Sequence, residues 1–405
     1  MIDKIRLSYN RLKNFNEKES ELMQKKIAFI RLKPWPLANV KVADALAAQF
    51  ADHKIEIINI EELVKAQIGT LTINTLLTWL AYGWDIANGN KKFKEAFWRT
   101  PYIFASVRRL LRKRLSSPDY LFTFQMQSLF DCSLPNVPHF IYTDHTHLAN
   151  LNYPNFNLKK LYPEKWIKLE KQAYGNAARI FVRSSNIQRS LIEQYEQPVD
   201  KAICVYAGNN VETNALTTED KSYGGQNILF VGIEWERKGG PALIEAFKVV
   251  LTRYPNATLT IAGAKPDIQM NNCKILGKIS PAELNSHYEK ATLFCLPTRV
   301  EPFGIAFLEA MQARLPIIGT NVGAIPDFLR NDWNGILIEP GDVQGMANGI
   351  ITLLDNPELC RLYGERNFNL IKEHYSWQPV SQKLHQHITE YLNNKPANPP
   401  RNKSQ

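Results

Sequence analysis

The sequence has no long apolar run. The richest stretch in its 405 residues, Leu76 to Ala87, is short and contains Gly83 and Asp85. A helix that spans a bilayer needs about 20 consecutive apolar residues. The chain begins MIDKIRLSYNRLKNFNEKE, which is charged throughout and has no apolar signal-peptide core. We therefore expect a cytoplasmic protein with no spanning helix.

Metal-binding and disulfide patterns are also missing. The five cysteines are widely spaced, form no CxxC pair and have no histidine at metal-ligand spacing. No Asp-x-Asp clamp for a divalent cation occurs in either half of the chain. We expect reduced thiols, no metal site and no bound cofactor.

Negative charge is under-represented, and the chain carries a formal net charge of +10. This excess indicates an anionic partner such as nucleotide phosphate, nucleic acid or an acidic membrane face. The positive charge is concentrated in residues 91–115, where the aromatic and basic stretch KKFKEAFW precedes RRLLRKR. They form either a solvated helix face or a peripheral contact with an anionic membrane at its inner face. Nucleic acid is disfavoured because no recognition motif accompanies the charge.

Strand-like and helix-like patterns alternate along the chain in two series. In an α/β protein this alternation predicts parallel sheets with helices on both faces. The predicted strands of the first series are 26–30, 55–60, 120–124, 138–142 and 179–182, and those of the second are 227–231, 258–262, 274–276, 293–296 and 316–319.

The two series predict two doubly wound domains. The expected divisions are an N-terminal extension (1–24), a first Rossmann-like domain (25–212), a second one (213–375), a C-terminal crossover helix (376–395) and a disordered tail (396–405). Ligands of open parallel sheets bind outside the carboxyl ends of the strands. We therefore expect the active site in a cleft between the domains.

The run EPFGIAFLE, from Glu301 to Glu309, holds two carboxylates around a Phe-Gly step. Apolar residues at helical spacing predict a helix from Ile305 to Leu315, ended by Pro316. A fully helical run would separate the two carboxylates by about 12 Å, whereas paired glycosidase carboxylates lie roughly 5 to 9.5 Å apart. The pair is therefore expected to hold two parts of one long ligand, with phosphates at the helix start between them.

The loop that follows the strand 227–231 carries glycines and two adjacent cations. Gly232 lets the backbone approach a ligand closely, and Arg237 and Lys238 place positive charge at the same edge. Together with a helix start, such a cation pair can neutralise a leaving diphosphate. A surface turn with capping glycines is the alternative interpretation.

With these motifs in order, residues 226–395 resemble the nucleotide-binding half of retaining glycosyltransferases of family four, which have the GT-B fold. The resemblance rests on FVG…KGG, LPT leading into EPFGIAFLEAM, GTNVGAIP, NGILIEPG and the late YSW. It implies that Glu301 faces the hydroxyls of the donor sugar and that Glu309 holds the ribose. It also implies that Lys238 binds phosphate, and that the backbone of Phe303, Gly304 and Ile305 meets the diphosphate.

The sequence departs from the family at Ile233, where an arginine is usual, and we infer that Arg237 supplies the missing charge. In the first half, the resemblance places a histidine at a strand end near the transferred sugar. His145 fits this place, with Asp144 to fix its tautomer, and His147 is the alternative. The glutamines 125 and 127 either meet the acceptor or are satisfied loop amides.

The resemblance implies transfer of a sugar from a UDP- or GDP-sugar to a hydroxyl, with retention and without metal. The acceptor would be a glycan, a glycolipid or a small molecule. The alternatives are a sugar phosphorylase or nucleotide-sugar epimerase on the same fold, and an inactive sugar-nucleotide-binding scaffold.

Overall fold

A computed structural model describes residues 25–34, 38–116, 119–209 and 221–394. The predicted N-terminal extension (1–24) and the predicted tail (396–405) lie outside the described residues.

The first sheet has six strands in the order β2-β1-β3-β4-β5-β6. Strands β2, β1, β3 and β4 pair in parallel. Almost every residue of β1, β3 and β4 is buried, because helices cover both faces of such a sheet. The strands are β1 (Lys26–Arg31), β2 (Ile55–Asn59), β3 (Tyr120–Met126), β4 (His139–Thr143), β5 (Arg179–Val182) and β6 (Ala202–Cys204).

Seven α-helices accompany this sheet in the described residues. Two short 3-10 helices, Leu148–Asn152 and Leu158–Lys160, follow β4. The α-helices are α1 (Ala38–Gln49), α2 (Ile60–Lys65), α3 (Ile68–Ala87), α4 (Phe93–Phe97), α5 (Pro101–Arg114), α6 (Glu164–Asn176) and α7 (Ser185–Glu193).

The second sheet also has six strands, all parallel, in the order β12-β11-β10-β7-β8-β9. The strands are β7 (Asn227–Gly232), β8 (Thr258–Gly263), β9 (Cys273–Gly277), β10 (Leu293–Leu296), β11 (Ile317–Thr320) and β12 (Gly335–Ile338). The ten predicted strands are confirmed, but β6 and β12 were not predicted. Both are short strands at the edge of their sheets.

The helices of the second half lie between and after these strands. They are α8 (Gly240–Arg253), α9 (Pro281–Lys290), α10 (Ile305–Gln312), α11 (Ile325–Phe328), α12 (Val343–Asp355), α13 (Pro357–His374) and α14 (Trp377–Asn394).

The strand order of the second sheet reverses at its centre. From β7 the chain builds outward through β8 and β9, then returns to the other side of β7 and builds outward through β10, β11 and β12. Loops at such a reversal point diverge and leave a crevice at the carboxyl ends of the strands. The loops after β7 and β10 flank this crevice.

The chain forms two compact units that are interleaved in sequence. One holds the described residues up to Thr143, Tyr162–Phe181 and the chain from Ser381 onward. The other holds Asp144–Leu161 and Val182–Val380. The helix α14 therefore begins in the second unit and continues in the first.

Candidate active site

The candidate site lies in the second unit, where the loop after β7 meets the loop after β10. Gly239 has a positive φ of 77°, and a Cβ atom there would overlap the carbonyl oxygen of Pro297. The backbone N–H of Arg299 donates to the carbonyl of Arg237 at 2.9 Å. A glycine is required at this crossing because the two backbones touch.

Lys238 and Glu301 form an ion pair in this crossing. The ammonium of Lys238 donates to Oε2 of Glu301, and the two side chains are only 12% and 7% exposed. A Cβ atom on Gly232 would lie 2.9 Å from Cγ of Lys238. The glycine at the end of β7 therefore leaves room for the lysine stem that reaches the glutamate.

The helix α10 begins directly after these residues. Gly304 precedes it with a φ of 98°, and Phe303 is buried. The predicted start at Ile305 is confirmed, but the helix ends at Gln312 and not at Leu315, because Arg314 has a left-handed backbone with φ 55°. The positive end of α10 thus lies beside the loop that holds Glu301.

Glu309 lies on α10, one turn from its end. The hydroxyl of Tyr288 donates to Oε2 of Glu309 at 3.0 Å. Burial raises the pKa of Glu309 to about 7, and this hydrogen bond partly opposes the shift. The group is therefore a carboxyl that exchanges its proton near neutral pH.

Arg237 lies beside Lys238 but is held by the loops. Its Nε donates to Glu234 at 2.6 Å, and its Nη1 donates to the carbonyl of Val300 at 2.7 Å. Ile233, where the family arginine is usual, is 67% exposed. The guanidinium of Arg237 thus lies against the backbone of Val300, the residue before Glu301, and its role towards a phosphate stays a prediction.

His145 and its surroundings also belong to the second unit. The His145 ring stacks on that of Tyr153, with centroids 6.5 Å apart. Asp144 pairs with Arg183 at 3.5 Å. His147 is buried, and its carbonyl accepts from the side chain of Asn150 at 2.8 Å. The structure thus brings the ring of His145 against that of Tyr153.

Tyr153 was missed by the sequence reasoning. It is buried, and its hydroxyl has no hydrogen-bond partner among the described residues. Burial and, after it, the charge of Glu301 raise the pKa of Tyr153 well above its usual value. A Cβ atom on Gly323 would lie 3.0 Å from this hydroxyl and would overlap the carbonyl oxygen of Glu301. No motif marks Tyr153, but the glycine in GTNVGAIP points to the close approach.

Gln125 fits the interpretation as a satisfied loop amide. Its side-chain NH₂ donates to the carbonyls of Gln127 and Phe130 at 2.6 and 2.8 Å, and its oxygen accepts from the backbone of Cys132 at 3.2 Å. These contacts occupy the donors and the oxygen of the amide, which leaves it little capacity to bind an acceptor substrate.

Two further features concern ligands. A cavity of about 910 Å³ borders Tyr153 and Gly323 and is also lined by Ser185, Arg189 and Glu339. Over the described part of the chain, no group of three or more His, Cys, Asp or Glu side chains is placed to hold a metal ion.

Two Rossmann-like α/β halves with parallel sheets define a protein of the GT-B fold class. Residues 225–356 match the family described as Glycosyl transferases group 1, so this part of the chain is a group 1 glycosyltransferase domain.

Known proteins resemble the chain over different lengths. An uncharacterized glycosyltransferase from Methanocaldococcus jannaschii is 28% identical over 213 residues, which is 51% of this chain and 58% of the relative. Glycogen synthase from Mycobacterium tuberculosis is 28% identical over 39% of this chain and 41% of the relative. The chain thus spans about half the length of the curated relatives it matches. The structure of sucrose-phosphate synthase from Thermosynechococcus elongatus superposes with a TM-score of 0.67 at 14% identity, covering 91% of this chain and 100% of that one.

Proposed function

We propose that this protein is a retaining glycosyltransferase that moves a sugar from a UDP- or GDP-sugar to a hydroxyl acceptor. The observation that carries the proposal is the buried ion pair of Lys238 and Glu301 beside the start of α10. It combines a cation, a carboxylate and a helix N-terminus at the sheet's reversal point, where phosphorylated ligands bind.

The ion pair is compatible with both proposed roles. An ammonium has three N–H donors, so Lys238 can hold Glu301 with one and offer the other two to a phosphate oxygen. Glu301 has a second oxygen that can accept from sugar hydroxyls. The pairing therefore fixes the lysine at the place where negative charge develops as the diphosphate leaves.

In the proposed reaction the bond between the anomeric carbon and the diphosphate oxygen breaks first. Charge on the leaving diphosphate is stabilised by Lys238, by Arg237 and by the backbone N–H groups of residues 303–305. The acceptor hydroxyl attacks from the same face, so the configuration is retained. Its proton passes to an oxygen of the leaving diphosphate, and no protein nucleophile or metal ion takes part.

The other proposed roles concern orientation. Glu309 accepts hydrogen bonds from the ribose hydroxyls when it is ionised, and His145 orients the transferred sugar. The glycogen synthase relative and the group 1 domain both support the sugar-transfer class. Polysaccharide, lipid-linked and small-molecule hydroxyls all remain candidate acceptors.

The test is transfer by the purified protein across a panel of UDP- and GDP-sugars and acceptors. Lys238→Ala and Glu301→Ala should lower turnover at least 100-fold, and Glu309→Ala should raise KM for the donor. Lys248→Ala and Glu245→Ala are matched controls, since these residues form an exposed pair on α8 and should leave turnover unchanged.

Nuclear magnetic resonance of the first product shows whether the anomeric configuration is retained. Inversion would refute the front-face route, and loss of activity with a chelator would refute metal independence. Phosphate dependence or acceptor-independent donor consumption would favour the phosphorylase or epimerase, and binding without turnover would favour the scaffold.

A further inference from the structure

The helix α3 (Ile68–Ala87) turns its apolar side chains outward. Ile68, Leu80 and Trp84 are 80%, 74% and 82% exposed, and Leu76 and Trp79 are also exposed. At 100° per residue these side chains fall within about half of the helix circumference. Soluble monomers rarely expose a contiguous apolar face of this size unless it is a site of interaction.

The opposite face of α3 is polar and buried. Asn74 donates to the carbonyl of Phe97 at 2.7 Å and accepts from the hydroxyl of Thr100. Thr78 donates to the carbonyl of Asn74 at 2.6 Å, and Tyr82 donates to the carbonyl of Arg99 at 2.8 Å. Rotation of the helix to hide its apolar side would break the hydrogen bonds of Asn74 and Tyr82 to residues outside α3, so the outward orientation is built in.

The outward face carries no charge, but its surroundings are strongly basic. Asp85 is the single charged residue of α3, and Lys91 binds its carboxylate at 2.5 Å. Residues 60–116 contain ten Lys and Arg against four Asp and Glu, a net charge of +6 of the chain's +10. Arg109, Arg112 and Lys113 in this segment are exposed on α5.

The predicted contact surface at 91–115 is thereby revised. Four of its apolar side chains, Ile103, Phe104, Val107 and Leu111, are buried in the core of the first unit, and the aromatic residues 93, 97 and 98 are half-buried. That segment contributes cations, and the apolar contact area lies on α3.

We propose that α3 docks on an anionic lipid surface, with its apolar face below the headgroups and the basic residues of α5 above them. An anionic lipid surface offers negative charge directly over an apolar layer, which matches this arrangement. A second copy of the chain would match the apolar face but would bring two segments of charge +6 together. Trp79 and Trp84 suit this depth because indole rings favour the boundary between lipid and water.

The helix would lie in the plane of the lipid surface. Within the residues that the structure describes, no helix is both long and apolar enough to cross a membrane. A helix in the interface plane needs only one apolar face and a polar opposite one, which α3 has.

The test is cosedimentation of the full chain with vesicles of phosphatidylcholine and phosphatidylglycerol in a 3:1 ratio. Leu76→Ser, Leu80→Ser and Trp84→Ser should each weaken binding on the order of tenfold, because each removes apolar area from the lipid. Joint replacement of Arg109, Arg112 and Lys113 by Gln should weaken it about 100-fold, and the effect should vanish at high salt.

Leu158→Ser is the matched control, since Leu158 is a leucine 65% exposed in the second unit. It should bind vesicles like the wild type. Failure of the wild type to sediment at low salt, or unchanged sedimentation of the α3 variants, would overturn the proposal. A wild-type dimer that Leu80→Ser converts to a monomer would assign the face to a second copy instead. None of these readouts requires glycosyl transfer, so they stand apart from the proposed function.

Discussion

We predict that the buried side chains of Lys238 and Glu301 are strongly coupled in their contributions to the free energy of unfolding. Removing one partner leaves the other charge buried and unpaired, which costs about 3–5 kcal/mol. We expect Lys238→Met and Glu301→Gln each to lower the free energy of unfolding by about 3 kcal/mol, since both side chains are nearly inaccessible to water. For a unit of about 200 residues this corresponds to a fall in Tm of roughly 6–12 °C.

The double variant should be more stable than the sum of the single effects implies. It contains no unpaired charge, so the coupling energy between the two positions should reach about 2–3 kcal/mol. The assay is a double-mutant cycle by scanning calorimetry and urea unfolding. Lys248 and Glu245, an exposed pair at 2.7 Å, give the reference cycle, with a coupling below about 0.5 kcal/mol.

Additive effects at positions 238 and 301 would contradict this coupling. They would mean that the pair is hydrated in solution, and the lysine would then not be held in place for a phosphate. Loss of turnover in the double variant despite recovered stability would separate the role in the site from the role in folding.

The remaining predictions concern three other positions. Burial raises the pKa of Glu309 from 4.5 to about 7, so the native state holds a proton that the unfolded state releases, and the stability of the wild type falls as pH rises between those values. The free energy of unfolding of Glu309→Gln should therefore gain about 3 kcal/mol relative to wild type between pH 4.5 and 8, measured as Tm at each pH. An equal difference in Tm between the variant and the wild type at both pH values would contradict this. Tyr153→Phe removes a buried hydroxyl that has no partner within the described ranges, so Tm should hold or rise while turnover falls about tenfold. Unchanged turnover would remove Tyr153 from the site. Gly323→Ala should cost about 2–3 kcal/mol by calorimetry, because the left-handed φ of 56° and overlap with the Glu301 carbonyl act together. Gly341→Ala, with φ 89° and open space, is its control at about 1 kcal/mol, and equal losses would refute the overlap.

The sequence predicts the sheets well where strands are buried runs. Ten strands of the two sheets follow from apolar segments of the right length. The strands β6 and β12 were not predicted because they have only 3 and 4 residues and are partly buried, so their patterns are weak. The other two edge strands, β2 and β9, have 5 residues each and were predicted. The end of α10 was also not predicted, since nothing in the local pattern indicates that Arg314 has a left-handed backbone conformation.

The site is less predictable because its contacts are long-range. Lys238 and Glu301 meet only because β7 and β10 are neighbours in the second sheet, which follows from topology and not from either motif. Tyr153 lies outside every motif, and its burial beside Gly323 depends on tertiary packing. The apolar face of the helix α3 is visible in the sequence, but the usual rule that apolar side chains are buried places it on the wrong side. In the structure Asn74 and Thr78 face inward, and leucine and tryptophan side chains face outward.

The inward polar face of α3 has a consequence for regulation. A helix that can rotate about its axis to bury its apolar face can act as a switch. The buried amide and hydroxyl groups of α3 instead fix the helix in one orientation. If α3 docks on lipid as proposed, attachment needs no rotation of the helix about its axis. Under that proposal, attachment depends on the charge density of the lipid and on the ionic strength, so the composition of the surface itself controls it.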